Sequence, residues 1–144
     1  MKTVMIAGCF DPVHEGHIEH IIQASKLGDV LYIVTHPDDI VARVKGKCFI
    51  PLHYRIMILR GLVGYLALNA SVWVACSIDG TVTETLKALK PNIFAKGGDR
   101  TPDNMPESEI EACKEVGCEI RYGIGKQLNS SSRIKEELGK RCRG

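Results

Sequence analysis

The stretch GCFDPVHEGH, residues 8–17, follows a short apolar run and leads into a segment with helical spacing. The apolar run TVMIA, residues 3–7, is typical of a buried strand. Proteins of the α/β class bind phosphate where a strand turns into a helix, because the first backbone N–H groups of the helix have no partner and its dipole favours negative charge. Gly16 lets a phosphate approach the backbone, and His14 and His17 can donate hydrogen bonds to its oxygens. The stretch therefore predicts chemistry at a nucleotide phosphate.

Strand-like and helix-like segments alternate along the rest of the chain. Apolar runs predict strands at residues 3–7, 30–34, 72–75, 92–95 and 119–122. Helical spacing and capping residues predict helices at residues 16–26, 51–68, 81–89, 107–116 and 130–138. Near-continuous apolar strands that alternate with helices indicate a parallel sheet covered on both faces. We therefore predict an α/β fold, with a doubly wound, Rossmann-like, parallel five-stranded sheet in a single domain over residues 1–144.

Two polar segments interrupt this alternation. Residues 38–50 are polar and basic without a clear period, which predicts a mobile loop that a bound triphosphate would order. Residues 97–106 are rich in Gly, Pro and Asp and predict a second loop. Among the larger apolar side chains, we expect Met5, Met57 and Trp73 in the core.

Composition limits the class of protein. The 144 residues are 44% hydrophobic and 25% charged, with a net charge of +2, and so give no sign of a nucleic-acid or membrane partner. No apolar run approaches the length of a membrane span, and no signal peptide is apparent. The six cysteines form no C-x-x-C pair, which predicts buried free thiols in a reducing compartment. We expect a cytoplasmic protein.

Motifs in a fixed order resemble the cytidylyltransferase-like superfamily of nucleotidyltransferases. They are HEGH at residues 14–17, VARVKG at residues 41–46, KGGD at residues 96–99 and NSSSRI at residues 129–134. The second and third motifs, and Arg55 after Pro51-Leu52, are similar to the adenylyltransferase domain that makes ADP-heptose for lipopolysaccharide core. The resemblance covers essentially the whole chain.

The resemblance implies a reaction in which a phosphate oxygen of an acceptor attacks the α-phosphate of a nucleoside triphosphate and pyrophosphate leaves. It favours ATP over CTP and a sugar or polyol phosphate as the acceptor. Both substrates are small molecules, and whether the chain forms a homodimer stays open. Mg²⁺ would accompany the triphosphate, held by phosphate oxygens and water rather than by a protein cage.

The resemblance also implies roles for individual residues. Those implied in catalysis are His14, His17 and Lys45. Those implied in nucleotide binding are Cys9, Phe10, Gly16, Gly98, Asp99, Asn129, Ser130, Ser131 and Ser132. Those implied in substrate binding are Asp11, Asp38 and Arg43.

Other interpretations remain. A member of the same superfamily could use another acceptor, as a cytidylyltransferase for glycerol or choline phosphates or an FMN adenylyltransferase, and a non-catalytic nucleotide-binding module is a third class. A zinc site formed by His14, His17 and His20 is disfavoured, because the spacing i, i+3, i+6 does not hold three side chains on one helical face. An oxidoreductase is disfavoured because no G-x-G-x-x-G follows the first strand. We expect His36 and His53 to be structural or simply exposed.

Overall fold

A computed structural model describes residues 1–76, 78–98 and 100–125. It contains a five-stranded parallel sheet in the order β3-β2-β1-β4-β5, which confirms the predicted α/β fold. The strands are β1 Thr3–Ala7, β2 Val30–Thr35, β3 Ala70–Val74, β4 Ile93–Ala95 and β5 Glu119–Arg121. The helices are α1 Glu15–Ser25, α2 Asp38–Lys45, α3 Leu52–Leu66, α4 Thr83–Leu89 and α5 Glu107–Val116. The helix predicted at residues 130–138 lies outside the described residues.

The central strand β1 packs against helices on both faces, because successive side chains of a strand point to opposite sides. Val4 and Ile6 lie in a buried cluster with Leu59 of α3 and with residues of α1. Met5 lies in a second cluster with Leu86 of α4 and with residues of α5. The two clusters form the two cores of a doubly wound sheet.

The chain changes direction at β1. It runs from β1 outward through β2 to the edge strand β3, and then returns to place β4 on the other side of β1. In open parallel sheets, ligands bind in the crevice beyond the carboxyl ends of the strands at such a switch point. The stretch at residues 8–17 leaves β1 at that position.

The prediction of a loop over residues 38–50 is wrong for its first part, which forms α2, and the ordering of this segment by a bound triphosphate stays a prediction. Ile40 and Val41 are buried, and Gly46 ends the helix with a φ of 86°, a value that favours glycine. Acidic residues occupy the first turn and basic residues the last, in the order that the helix dipole favours. The apolar residues Ile40, Val41 and Val44 follow a helical spacing, a local signal that the loop prediction overlooked.

Two of the three predicted core residues are also wrong. Met5 is fully buried, but Met57 is 55% and Trp73 44% exposed. Met57 lies on α3 between the buried residues Arg55 and Leu59, and therefore on the opposite side of that helix. Trp73 lies on an edge strand. The thiols are not all buried either, since Cys76 is exposed, and no cysteine in the described part of the chain forms a disulfide.

One guanidinium group joins the segments beneath the crevice. Arg55 is fully buried, and its side chain donates hydrogen bonds to three backbone carbonyl oxygens. They belong to Cys9 at 3.1 Å, His36 at 2.8 Å and Ile50 at 2.8 Å. The Cys9 carbonyl also accepts from the Thr35 hydroxyl and the Ile50 carbonyl from the Cys48 thiol, so Arg55 strengthens a shared network of hydrogen bonds at this point.

The same side chain reaches two further groups. Arg55 Nη1 donates to the Thr35 hydroxyl at 2.8 Å, and Nη2 donates to Asp38 Oδ1 at 2.7 Å. The hydrogen bond from Arg55 is the main reason that the pKa of Asp38 lies below its usual value. Asp38 Oδ1 also accepts from the Leu52 N–H at 2.8 Å, so the start of α2 is tied to the start of α3.

No helix in the ranges that the structure describes is long and apolar enough to cross a membrane.

We predict that Arg55→Met lowers the free energy of unfolding by about 3 kcal/mol or more, because it removes all the hydrogen bonds of a buried guanidinium at once and leaves the His36 carbonyl without this donor. Arg60→Met on the exposed side of α3 is the matched control, with an expected change within about 0.5 kcal/mol. Urea denaturation of the two variants provides the measurement. Equal losses of stability would show that the buried contacts do not hold these segments together.

Candidate active site

Two histidines cap the first turn of α1. His14 is the N-cap residue, and its Nδ1 accepts the N–H of Gly16 at 3.1 Å. The Nδ1 of His17, three residues later, accepts the N–H of His14 at 3.2 Å. This is the reciprocal pattern of a capping box, with imidazoles in place of the usual hydroxyl and carboxylate. The rings are in contact, with centroids 3.8 Å apart.

These two hydrogen bonds fix which ring nitrogen carries the proton. A backbone N–H can only donate, so the Nδ1 atoms of His14 and His17 must present lone pairs. A neutral imidazole with an accepting Nδ1 carries its proton on Nε2. Each ring therefore retains one N–H donor for a ligand, in an orientation set by the helix cap.

The surroundings keep both rings neutral at pH 7. Burial, together with the positive charges that His14, His20 and Lys45 can carry, lowers the pKa of His17 to about 3. Burial also lowers the pKa of His14, and the charge of Lys45 acts in the same direction. The pair therefore supplies hydrogen-bond donors without adding charge.

His14 and His17 line a cavity of about 350 Å³ at the carboxyl edge of the sheet. Predicted site residues that line it are His14, His17, Lys45, Cys9, Phe10, Gly16 and Gly98. Lys96 and Arg100 add positive charge to the wall. A cavity with several cations and two neutral N–H donors is suited to an anionic ligand such as a polyphosphate.

The three residues implied in substrate binding do not line this cavity. Asp11 is buried, and its carboxylate oxygens accept from the N–H groups of Phe49 at 2.9 Å and Ile50 at 2.7 Å. Asp38 is bonded to Arg55, as described above. Arg43 Nη1 donates to the carbonyl of Ile78 at 2.7 Å. In this structure all three side chains join segments of the protein to one another.

Some predicted residues cannot be placed. Asp99, Asn129, Ser130, Ser131 and Ser132 lie outside the described residues. Their implied roles in nucleotide binding stay predictions.

Several cavity residues were not assigned a role from the sequence. They are His20, His36, Lys96, Arg100 and Glu109. His20 Nδ1 donates to the Ile124 carbonyl at 2.6 Å and so joins α1 to the segment after β5. Glu109 Oε2 accepts from the Val82 N–H at 3.0 Å. Their separation along the chain leaves no local motif, although Lys96 begins the KGGD segment.

The spacing of His14, His17 and His20 along the chain disfavours a shared metal ion. Among the described residues, no group of three or more His, Cys, Asp or Glu side chains could hold a metal ion. The Nδ1 atoms of His14, His17 and His20 all bond to backbone groups.

Comparisons of the sequence with known proteins identify a family and several relatives. The sequence profile described as cytidylyltransferase-like matches residues 5–137. The chain is 36% identical over 131 residues to the bifunctional protein HldE of Hahella chejuensis, covering 90% of this chain and 24% of that protein. It is 33% identical over 139 residues to the HldE of Desulfatibacillum aliphaticivorans, covering 95% and 27%. The chain thus spans about a quarter of the length of these curated relatives.

Two solved structures are similar to this chain in fold. The lipopolysaccharide core biosynthesis protein of Thermoplasma volcanium superposes with a TM-score of 0.66 at 26% identity, over 88% of this chain and 98% of that chain. Thermotoga maritima TmcAL, solved with alpha-thio ATP, superposes with a TM-score of 0.69 at 12% identity, over 99% and 51%, and shows a shared fold.

We predict that the neutral state of His17 makes the stability of the fold depend on pH. The unfolded chain takes up the proton near pH 6.5, while the folded chain resists it down to about pH 3. Stability is therefore unaffected by this group above pH 6.5 and is lost as the pH falls below it. Between pH 7 and pH 5 the loss that His17 causes should be about 2 kcal/mol.

His17→Gln preserves the capping bond and removes this titration. Urea denaturation at both pH values should show a smaller loss in His17→Gln than in the wild type, and an unchanged loss in the exposed control His53→Gln. Identical pH dependence in all three proteins would mean that His17 titrates normally in the fold.

Proposed function

The chain belongs to the cytidylyltransferase-like family of nucleotidyltransferases, and we propose that it transfers a nucleoside monophosphate from ATP to a sugar or polyol phosphate and releases pyrophosphate. The observation that carries this proposal is the pair of neutral imidazoles, His14 and His17, with Nε2–H donors at the N-terminus of α1 in a cationic cavity. Such a group binds phosphate oxygens and offers no nucleophile of its own.

The similarity to HldE proteins and to a lipopolysaccharide core biosynthesis protein supports an acceptor of the heptose 1-phosphate type. The sequence resemblance of residues 96–99 to the ADP-heptose branch supports adenine as the base. Because the chain spans about a quarter of the HldE proteins, the proposal concerns nucleotidyl transfer alone.

The proposed reaction is a single displacement at the α-phosphorus. An oxygen of the acceptor phosphate forms the new P–O bond while the bond to the bridging oxygen breaks, and pyrophosphate leaves with the electron pair. Negative charge on the α-phosphate oxygens is redistributed in the transition state, where His14 and His17 donate from Nε2. Donors already fixed in place need little reorganisation, so they stabilise the transition state more than water would.

Other parts of the cavity would hold the polyphosphate. Lys45, at the end of α2, is close enough for its charge to lower the pKa of His14 and His17. We propose that the Lys45 ammonium group contacts the departing pyrophosphate. The backbone of Cys9 and Phe10 would line the α-phosphate, and Gly98 would let the nucleotide approach β4 closely. Asp99 at the ribose and residues 129–132 at the β- and γ-phosphates complete the proposed site.

Mg²⁺ fits this site as a companion of the triphosphate. Glu109 is the one acidic residue among the described residues that line the cavity, and one of its carboxylate oxygens accepts from the Val82 N–H. The other charged groups there, Lys45, Lys96 and Arg100, are cations. This donor set suits an ion held by phosphate oxygens and water, which would neutralise part of the triphosphate charge when bound.

We predict that His14→Asn and His17→Gln each lower kcat about 100- to 1000-fold, the range for losing a donor to transition-state charge. Asn is a good N-cap residue and Gln is suited to the third helical position, so both variants should keep α1 folded. Single-turnover kinetics with ATP and the acceptor measure the chemical step. His53→Gln serves as the control. Wild-type rates in both variants would exclude the histidines from the reaction.

The proposed reaction is tested by a pyrophosphate-release screen. ATP, CTP, GTP and UTP with Mg²⁺ are each combined with heptose 1-phosphate, mannose 1-phosphate, glycerol 3-phosphate, choline phosphate and FMN. We expect release with ATP and a sugar phosphate, and a nucleotide–sugar product by mass spectrometry. Release with CTP alone would assign a cytidylyltransferase, and release with FMN alone would assign another acceptor class.

A further inference from the structure

One side of α3 is apolar and yet exposed. This outer stripe of α3 comprises the exposed apolar residues and glycines Tyr54, Met57, Ile58, Gly61, Gly64 and Tyr65. Their spacing of three or four residues places them on one face of the helix, opposite the buried residues Arg55 and Leu59. Tyr65 is 88% exposed and Tyr54 is 57% exposed. The outer stripe therefore points away from the core of its own chain.

The composition of α3 is typical of a helix that is covered on all sides. Of its 15 residues, only Arg55 and Arg60 carry a permanent charge, and Arg55 is buried. Surface helices normally carry charged and polar residues on the face toward water, whereas a helix that is apolar all round is buried. The described residues bury one side of α3 alone. The composition of the other side therefore indicates a partner.

Two glycines in the outer stripe indicate that this partner comes close to the helix backbone. Glycine inside a helix is destabilising relative to alanine. A side chain added at Gly61 or Gly64 would meet no atom of the described residues within 4 Å outside the adjoining turns of the helix. Neither glycine has a positive φ. Packing and conformation within the chain thus do not require glycine at these positions, and a second backbone against α3 accounts for both.

A second copy of the chain fits this surface. Closed homodimers with two-fold symmetry are the commonest oligomers, and in them both copies use the same patch. If two α3 helices cross antiparallel with the axis beside Gly61, Met57 of one protomer lies against Tyr65 of its partner. Ile58 then lies against Gly64 of the partner, because the two positions are equally distant from Gly61 along the helix. Each of these pairs is satisfied twice by the symmetry.

The area and charge of the outer stripe also favour a second copy. An aromatic side chain offers about 150–250 Å², so the two tyrosines alone expose about 300 Å². A stable interface takes about 800 Å² from each partner, and Met57, Ile58 and the backbone at the glycines add to the area of the tyrosines. The stripe carries no charge, so two copies would not repel each other. A membrane surface is disfavoured, because Arg60 is the one exposed basic residue on this helix.

We propose that the outer stripe of α3 is the interface of a homodimer, in which the two α3 helices pack antiparallel and cross at Gly61. Arg55, on the opposite side of the same helix, donates hydrogen bonds to the segments after β1 and β2. The dimer holds in place the helix that carries these contacts. Its formation does not depend on the proposed reaction.

Analytical ultracentrifugation of the full chain measures the association. We expect a dimer for the wild type, and a Kd at least about 30-fold higher for Tyr65→Glu, the scale for losing a central interface tyrosine. Gly61→Leu should raise the Kd at least about tenfold, because the added side chain separates the helices. Ile78→Glu is the matched control and should dimerise like the wild type, since Ile78 is 83% exposed and lies outside α3. Circular dichroism checks that each variant folds.

Cross-linking identifies what covers the outer stripe. Tyr65 is replaced by the photoreactive residue p-benzoylphenylalanine, and chains labelled with ¹⁴N and ¹⁵N are mixed so that mass spectrometry distinguishes links between copies from links within one chain. We expect links between copies, from position 65 to residues 54–58 of the other α3.

Three results would overturn the proposal. A wild-type chain that stays monomeric at its highest soluble concentration forms no such dimer. A dimer that is weakened no more by Gly61→Leu and Tyr65→Glu than by Ile78→Glu has its interface elsewhere. Links within one chain, from position 65 to residues 126–144, would show that the C-terminal segment of the same chain covers the stripe. If Tyr65→Glu does not fold, Gly61→Leu and the cross-links decide.

Discussion

The guanidinium of Arg55 donates hydrogen bonds to the segments that follow β1 and β2, to the first residue of α2 and to the segment before its own helix. Burying a cation is costly unless its donors are satisfied, and here each of the nitrogens Nε, Nη1 and Nη2 has a partner. The cost is offset only when all these segments are in place together. The hydrogen bonds of Arg55 therefore fix the relative positions of these segments cooperatively.

A buried carboxylate completes this arrangement from the other side. Asp11 accepts the N–H groups of Phe49 and Ile50, while Arg55 holds the carbonyl of Ile50. The segment before α3 is thus bound both to the loop after β1 and to the helix that follows it. That loop leads directly to His14. These buried contacts therefore help to position the helix cap and its Nε2–H donors.

The electrostatics of the cavity follow from the same geometry. Lys45, Lys96 and Arg100 line the wall, and protonation of His14 and His17 is opposed by burial and by the charge of Lys45. Neutral donors near cations suit a reaction in which the substrates bring several negative charges. In the proposed reaction the cations would offset the overall charge of the polyphosphate, and the imidazoles would act at one phosphorus.

The sequence allowed the order of strands and helices to be predicted, because the apolar runs and the capping residues of α1 are local signals. His14 and His17 could be recognised for the same reason. The short helix α2 also carries a local signal in the spacing of Ile40, Val41 and Val44, but the polar and basic residues around it favoured a loop. Met57 and Trp73 were wrongly assigned to the core because the overall fold decides which side of α3 is buried and which strand lies at the edge of the sheet.

Local sequence signals were also insufficient for the residues predicted to bind the substrate. Asp11 and Asp38 are carboxylates near a phosphate motif, but their partners lie 38 or 39 residues and 17 residues away along the chain. Nothing local distinguishes a carboxylate that binds a substrate from one that binds a distant amide or guanidinium. His36 lines the cavity, but a single histidine after a strand has no local pattern that would reveal this position.

The account depends on attack at the α-phosphorus, and this can be followed with ATP radiolabelled at either the α- or the γ-phosphate. The reaction is run with Mg²⁺ and the acceptor found in the screen, and the products are separated by charge. We predict that the α label appears in the nucleotide–sugar product and the γ label in pyrophosphate. Transfer of the γ label to the acceptor, or its release as inorganic phosphate, would contradict nucleotidyl transfer and the role assigned to the paired histidines.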